Sequence, residues 1–514
     1  MVEQTRVSRA RTLAARAALT ALVALGGLTL PVRAARAQPL TADEAVRRAA
    51  GGNPTLRGAR ADLAGARASL EGELGARRPV FFAGVNGHYT ERLSGGSDAV
   101  ARSSEEGTDG EAGIRYTTDI GTALEAGLAT GVVWRNSTTT PSGAEATSVG
   151  PSVDGQLYLN ARQPLLRGAG TDAVLAPLRD AEVGLTQAER AREQAESELL
   201  LAVLTAYYEL WYAEEAVSVE EQALAVAQRQ YDEAELRQKE LGTEAPVDVL
   251  SFATQLATGR QSLSNARATR AARAIALGRQ LALGAVAART LDAVTPPPES
   301  ADPPPLPRLL DDARARSSEL AALAAQVEAA RIGLASAAAS DAPRLDLTAT
   351  FAMSGLWNDD SLPGLKLPDY RPAFAGTLGL ELELPLGGSR EAAAHARAAA
   401  ALESAQARYD ARVDALEAEI ATGEVESSSA REQAGLAAET ARVAGALAEA
   451  ERQRYALGKN TPNDLVKAQQ TEREAALREL RALVDRALAN LALEHQTGRL
   501  RARYEAYFED ENAP

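Results

Sequence analysis

The sequence predicts an α+β membrane protein in which long antiparallel helices form a coiled-coil barrel and β-strands form a transmembrane barrel completed by oligomerisation. Three observations predict this fold class. Alanine supplies about a fifth of the 514 residues and aromatic residues only 4%, a bias that favours long helices. A turn motif is duplicated at constant spacing, and segments with a two-residue period separate the helices.

Charge and cysteine content exclude several classes of protein. The formal net charge is -15 and no long basic run is present, so we expect no nucleic-acid partner. With no cysteine, the chain has no disulfide framework, thiolate metal site or lipidated N-terminal Cys.

Residues 1–37 have the order of a secretory signal. Several arginines precede an apolar run from Ala17 to Leu30, and an Ala-Arg-Ala triplet ends at Ala37. The run is shorter than the roughly 20 residues that a membrane-spanning helix needs. We therefore expect cleavage after Ala37 and export. No other long uncharged apolar stretch follows, so the mature chain would enter a membrane by β-strands.

A proline-rich linker, residues 296–307, divides the mature chain into two repeats, 38–295 and 308–514. Each repeat is predicted to run from a helix through β-strands into a long helical hairpin. The expected strands lie at about 79–162 and about 343–386. The expected hairpins lie at about 172–290 and about 389–508.

The hairpin turns carry the clearest internal match. Gly, Pro and Asp recur at an offset of 216 residues, in the order that ends one helix and begins the next. The residues are Gly242, Pro246 and Asp248 in the first turn, and Gly458, Pro462 and Asp464 in the second.

The helix that enters the first turn is predicted to run from about Ala176 to Leu241. Apolar residues recur every seven positions, with small residues three positions on, which predicts a coiled-coil seam. The seam residues are Val203, Leu210, Val217, Leu224 and Tyr231, with Ala206, Ala213, Ala227 and Ala234. Such helices bury one stripe and need neighbours along their length.

Strict alternation predicts strands between the helices. The clearest segments are 377–386, 344–352 and 153–162, with a weaker one at 79–89. Half-buried strands of a soluble sheet would show the same pattern. Ten-residue segments with one apolar and one charged face in an exported chain favour a transmembrane barrel.

Residues 111–135 leave the strand number open. They form either an added strand pair, giving six strands per chain, or a projection beyond the barrel rim. Gly-, Ser- and Thr-rich segments at 94–110 and 136–150 flank them like exposed loops, which favours the projection.

Strand counting predicts an oligomer. Two strands per repeat give four per chain, whereas the smallest closed membrane barrels need about eight. Open sheet edges are not tolerated in hydrocarbon, so several copies must share one barrel. The count does not choose between two, three or four copies.

Several weak motifs resemble, in order, those of the TolC-like outer-membrane efflux proteins. They are Leu40 to Ala45 with Asn53 to Leu56, Gln163 to Gly168, Ala176 to Arg179, Ala206 to Leu210, Asp248 to Leu250, Pro343 to Leu347 and Pro385 to Gly388. The resemblance implies a homotrimer with a twelve-stranded barrel in the outer membrane and a periplasmic helical barrel. It also implies a periplasmic adaptor and an inner-membrane pump as partners.

The resemblance also implies that the hairpin ends form a gated periplasmic mouth. Asp464 then falls at a ring acid, Asp248 at a partner acid and Tyr455 at a contact tyrosine. Lys467 and Asn460 stand where relatives carry a second acid and a gate arginine. From the residues alone, Asp248 and Asp464 are equally well explained as acids that interact with a helix dipole. Gly242, Pro246, Gly458 and Pro462 would form the docking ends.

No pattern indicates an enzyme or a cofactor. His88, His395 and His495 lack metal-ligand spacing, and no phosphate loop or nucleophile elbow is present. Together with this absence, the resemblance implies a passive, gated channel of an efflux or type I secretion assembly. The competing hypothesis is an exported coiled-coil spacer or adhesin, which would stay soluble without detergent.

Overall fold

The computed structural model describes residues 38–95, 100–140, 147–241, 245–299, 303–357, 373–384, 386 and 390–509. The expected signal segment and Gly242 lie outside these residues. Helices dominate, and one large sheet accompanies them. The described helices and strands fall into two units, which are treated separately below.

The helices of at least eleven residues are α1 (Ala42–Gly52), α2 (Pro54–Ala76), α4 (Ala176–Leu236), α5 (Pro246–Gln280), α7 (Leu306–Arg316), α8 (Ser318–Ser340), α9 (Arg390–Ala456) and α10 (Pro462–Gln496). Shorter helices are α3 (Thr171–Val174), α6 (Ala285–Ala288), α11 (Arg499–Tyr504) and α12 (Ala506–Glu509). The strands are β1 (Gln38–Leu40), β2 (Val80–Gly95), β3 (Val100–Thr117), β4 (Ala123–Thr140), β5 (Thr147–Pro164), β6 (Leu291–Ala293), β7 (Arg344–Trp357) and β8 (Ala373–Glu383).

The first unit contains residues 203–297 and 438–484 with the chain up to Arg48. In it, β1 pairs in parallel with β6. The fully buried Tyr207 of α4 donates a hydrogen bond to the Leu40 carbonyl oxygen (2.9 Å) and accepts one from the Thr295 amide (2.8 Å). These bonds fix the short sheet to the long helix, because buried polar groups need partners.

The predicted seam of α4 is partly buried within this unit, and its residues Ala206, Val217, Leu224 and Tyr231 are half-buried. Val203 and Leu210 are fully buried, and so are the small residues Ala213, Ala227 and Ala234. Gly259 of α5 shows how closely the helices approach, since a Cβ built there would lie 3.3 Å from Leu224 Cδ1. Small residues therefore let the helices of this unit pack at short distance.

The second unit contains residues 49–202, 298–437 and those after 484. Its sheet is antiparallel throughout, in the order β2-β3-β4-β5-β7-β8. Residues 111–135 form an added strand pair within the sheet, the alternative that the sequence did not favour. β3 and β4 pair with each other along their whole length, β3 pairs with β2 from Val100 to Arg115, and β4 pairs with β5 from Ala123 to Ser137. Backbone pairing does not require apolar side chains, so Gly-, Ser- and Thr-rich segments continue the ladders.

Side-chain caps mark the starts of two helices in the second unit. The Asn53 side chain accepts from the Thr55 amide (2.8 Å) at the start of α2. Ser317 accepts from the Leu320 amide (3.2 Å) at the start of α8. Pro307 was expected in the linker but lies in the first turn of α7, where a missing N–H costs nothing.

One described helix, α8, is long and apolar enough to cross a membrane by length and composition, whereas the sequence predicts no membrane-spanning helix. It carries Glu328 and Arg331, which form an ion pair of 2.6 Å. Two charges within one span are costly in hydrocarbon, so composition alone is weak evidence for a span.

Candidate functional site

The first hairpin end is the less regular of the two. After α4, residues Arg237–Leu241 form a π-helical turn. Helix α5 begins with Pro246, and Ala245 at its N-cap offers no side-chain hydrogen bond. The Asp248 amide donates to the Ala245 carbonyl oxygen (3.0 Å). The half-buried Asp248 carboxylate makes no hydrogen bond or ion pair with a residue that the structure describes.

The second hairpin end is closed at both sides. Gly458 has a φ of +66° and donates to the Tyr455 carbonyl oxygen (2.9 Å), while the Lys459 amide donates to Arg454 (2.9 Å). This geometry satisfies the last carbonyls of α9 and requires a residue tolerant of positive φ. Pro462 then starts α10, as its ring geometry favours.

Asp464 caps its own helix. Its Oδ2 accepts hydrogen bonds from the Thr461 hydroxyl (2.7 Å) and the Thr461 amide (3.2 Å), and its own amide donates to the Thr461 hydroxyl (3.3 Å). The Thr461 hydrogen bonds hold the pKa of the exposed Asp464 below its ordinary value, and Arg454 and the exposed Lys467 act in the same direction. These contacts support the helix-start explanation for this residue.

Asn460 ties the turn to α9 of the same chain. Its Nδ2 donates to the Glu451 carbonyl oxygen (3.0 Å) and to Glu451 Oε2 (2.6 Å). Glu451 also pairs with Arg454 (2.7 Å). Because the Asn460 amide donates to two oxygen atoms of Glu451, it holds the turn against α9. Asn460 therefore stabilises its own hairpin.

A hydrophobic cluster, which we call the tip cluster, joins the two hairpin ends. Its members are Ala234, Val249 and Phe252, with Tyr231, Tyr455 and Val466 packed against them. The rings of Phe252 and Tyr455 meet edge to face with centroids 6.0 Å apart. Tyr455, expected at a contact between neighbouring hairpins, is thus partly buried inside its own chain.

Large apolar side chains remain exposed at both ends. Val247 and Leu250 are each 66% exposed, and Leu457 is 68% exposed. They flank the predicted docking residues Pro246 and Gly458. Exposed apolar side chains at such ends are available to a protein partner.

A polar cavity of about 560 Å³ between α4, α5 and α10 was not predicted. The Gln255 amide nitrogen donates to Gln469 Oε1 (3.2 Å) across it, and Arg473 approaches Glu220 (3.5 Å). The lining glutamines, Gln222, Gln255, Gln469 and Gln470, are spread over three helices and carry no sequence signal, so only the packing brings them together.

Two ion-pair centres on α4 were also missed. Glu209 contacts Arg481 (2.8 Å) and Arg273 (3.4 Å). Glu214 accepts from the Ala293 amide (2.8 Å) and pairs with Arg270 (3.1 Å). Burial raises the pKa of Glu214 to about 7, although the Ala293 amide and Arg270 both favour the charged form.

The large sheet separates apolar from charged side chains. One face carries exposed apolar residues such as Leu378, which is 75% exposed. The other carries ion pairs, including Arg162 with Asp346 (2.6 Å) and Arg135 with Glu105 (3.0 Å). Within the described part of the chain, β2 and β8 each pair on one side only. The same residues hold no group of three His, Asp or Glu side chains arranged for a metal ion.

Long helical hairpins and a sheet with one apolar face define the class of outer-membrane channels. A family model described as outer membrane efflux protein matches residues 127–284 and 309–499, more than half of the chain. The chain belongs to this family, and the predicted relationship and efflux-channel role are confirmed. The spacer or adhesin hypothesis loses its support.

Solved structures share the fold. The Campylobacter jejuni outer-membrane channel CmeC matches with a TM-score of 0.66 at 14% identity, over 91% of this chain and 89% of that chain. The Vibrio cholerae outer-membrane protein VceC matches with a TM-score of 0.62 at 20% identity, over 89% of this chain and 96% of that chain. The open state of the Neisseria gonorrhoeae channel MtrE matches with a TM-score of 0.59 at 16% identity, over 91% of this chain and 93% of that chain. Among curated protein sequences, none matches.

Proposed function

We propose that three copies of this chain form a passive, gated outer-membrane channel whose barrel closes where β8 of one copy pairs with β2 of the next. The observation that carries this proposal is the sheet, which has an apolar face, a charged face and two edge strands, β2 and β8, that pair on one side only among the described residues. In a membrane barrel, hydrocarbon covers the apolar face and water covers the charged face. The backbone N–H and C=O groups of the two edge strands can be hydrogen-bonded there only by another strand.

The charged face suggests the character of the lumen. Strand alternation and register place eight carboxylates and five arginines on it. They are Glu105, Asp109, Glu111, Glu125, Asp154, Asp346, Glu381 and Glu383, against Arg92, Arg115, Arg135, Arg162 and Arg344. An excess of carboxylates favours the passage of cations.

Mass measurement and single-channel recording test the channel. The protein purified in detergent should have three times the mature chain's mass and should conduct ions in a planar bilayer. A monodisperse single chain that remains soluble without detergent would contradict the proposal.

Two neighbouring substitutions on β8 sharpen this test. Leu378→Arg places a charge on the apolar face, at a cost of roughly 2–4 kcal/mol per copy near the bilayer centre. We expect it to reduce the heat-modifiable trimer in the outer membrane. Thr377→Arg, on the charged face, is the matched control and should assemble normally. Equal loss in both variants would argue against the assignment of faces.

We place the periplasmic mouth at the hairpin ends. Asp248 lacks a local partner among the described residues, whereas Asp464 caps its helix, so Asp248 is the better candidate for a gating contact with a neighbouring copy. Asp248→Asn should raise the open probability in planar bilayers more than Asp464→Asn does. An effect confined to Asp464→Asn would reverse this assignment.

The same ends are proposed to dock a periplasmic adaptor, which recruits an inner-membrane pump. The exposed apolar side chains beside Pro246 and Gly458 support this role. Val247→Arg or Leu457→Arg should abolish export in cells with the cognate pump while the trimer still assembles. Normal export by both variants would exclude this surface as the dock.

A further inference from the structure

The hairpin formed by β3 and β4 is inserted between two strands that would otherwise be neighbours. β2 and β5 are antiparallel to their partners within the hairpin, so removing the hairpin would leave them in the correct directions to pair. Its turn is anchored below the sheet, where Gly121 has a φ of +92° and Asp119 pairs with Arg77. The insertion is therefore continuous with the rest of the sheet.

Aromatic rings of the two flanking strands pack over glycines of the hairpin. A Cβ built on Gly113 would lie 2.7 Å from Phe82 Cζ, and one on Gly127 would lie 2.7 Å from the Tyr158 hydroxyl oxygen. Each ring thus covers a glycine of the neighbouring strand, a device that fixes register. A hairpin that only projected from the rim would not need this fit inside the sheet.

The apolar face of the hairpin is as long as that of the other strands. In all six strands, the residues on this face are uncharged over the nine to eleven positions that cross a bilayer. In β3 and β4 they are Tyr116, Ile114, Ala112, Gly110 and Thr108, and Leu124, Ala126, Leu128, Thr130, Val132 and Trp134. The register aligns those of β3 with Phe81 to Gly87 of β2, and those of β4 up to Val132 with Val153 to Ala161 of β5. Glu106, which pairs with Tyr89 and Trp134, ends the uncharged part of this face in β3.

The opposite face of the hairpin continues the charged face. His88 Nδ1 lies 2.9 Å from Asp109 Oδ2, and Arg135 Nε lies 3.0 Å from Glu105 Oε2. These pairs cross from β2 to β3 and from β3 to β4. The hairpin therefore has the same sidedness as the strands on both sides of it.

We propose that the β3–β4 hairpin lies within the membrane, so that each chain contributes six strands and the trimer forms an eighteen-stranded barrel. This inference rests on the proposed trimer. With strands about 4.8 Å apart and tilted by about 40°, eighteen strands give a backbone diameter of roughly 36 Å, against roughly 24 Å for twelve. The outlet would be as wide as those of large porins, and bulky hydrated solutes could leave through it.

Two adjacent single-cysteine variants test the membrane position of the hairpin. The chain has no cysteine, so Leu128→Cys and Ala129→Cys each supply one thiol, on the apolar and the charged face respectively. Each thiol is labelled with bimane in the full trimer, which is then reconstituted into bilayers with brominated acyl chains. We expect several-fold quenching at position 128 and little at 129. Equal, weak quenching at both would overturn the inference.

Leu380→Cys on β8 separates the two proposals. Strong quenching at 380 without quenching at 128 would leave the channel intact and reject only the membrane-embedded hairpin. No quenching at 380 would reject the barrel itself. Electron microscopy of the trimer along its axis gives a second measurement, in which a barrel near the twelve-strand diameter would also overturn the inference.

Discussion

The two hairpin ends share one sequence motif but end their helices differently. The second end is closed by Gly458 on one side and by the reciprocal bonds of Thr461 and Asp464 on the other. The first has a π-helical turn and an N-cap alanine without a side-chain bond. The duplicated motif therefore fixes the position of the turn between two helices, but the hydrogen bonds that stabilise the turn differ between the two copies.

The two equivalent acids differ in the same way. The Asp464 carboxylate accepts hydrogen bonds from Thr461, whereas the Asp248 carboxylate makes no hydrogen bond or ion pair with a residue that the structure describes. π-helical turns occur often at functional sites. The first end is accordingly the better candidate for movement, and the four predictions below test that contrast.

The largest expected effect follows loss of the aromatic ring that serves both ends. Phe252→Ala removes a fully buried side chain of the tip cluster, at a cost of about 3–5 kcal/mol. Amide hydrogen exchange at both ends should accelerate by about two to four orders of magnitude if they open as one unit. Val247→Ala, at an exposed position, is the control. Acceleration at the first end alone would show that the ends open independently.

Removing the second end's cap should make it resemble the first. Thr461→Ala deletes the hydroxyl that bonds Asp464, at a cost of about 1 kcal/mol. Exchange in the first turn of α10 should quicken by about fivefold while α5 is unchanged. Equal exchange in variant and parent would mean that tertiary packing, not the cap, holds this turn.

Supplying the missing cap should make the first end resemble the second. Ala245 already has the extended backbone of an N-cap, with φ -78° and ψ 146°. Ala245→Ser should therefore slow exchange at the start of α5, by a gain of about 0.5–1 kcal/mol. If the first end must move, the same variant should also lower the channel's open probability. Ala245→Val, which cannot cap, is the control.

The smallest effect is a pH dependence confined to the second end. The pKa of Asp464 is lowered in the folded protein, so its contribution to stability is present above the unfolded pKa and is lost as pH falls through the folded value. Asp464→Asn should speed exchange in α10 at neutral pH, and the difference from the parent should vanish in acid. A difference that persists unchanged in acid would exclude the carboxylate as its source.

Local patterns made much of the fold predictable. Leu378, Leu380 and Leu382 alternate with small or charged residues, and β8 follows directly from that pattern. In β3 the corresponding face carries Thr108 and Gly110, whose weak hydrophobicity resembles that of a loop. Its pairing is decided by neighbours in the sheet, and sequence alternation alone could not show it.

The candidate site divides in the same way. Gly458 and Pro462 act within one turn, so their backbone roles could be predicted from spacing. The contact between Phe252 and Tyr455 joins residues about 200 positions apart and follows from tertiary packing. The glutamine pair in the polar cavity likewise depends on how three helices cross.

The bare leucine face and open edge of β8 also constrain biogenesis. In a newly exported copy, β8 exposes apolar side chains and, among the described residues, has one edge without a partner strand. This combination promotes aggregation in water. In the proposed trimer, the strands of each copy would therefore need protection by another protein, or would stay unfolded, until they meet those of the other copies. Cells that make this protein faster than the subunits can meet should accumulate insoluble, protease-sensitive chains.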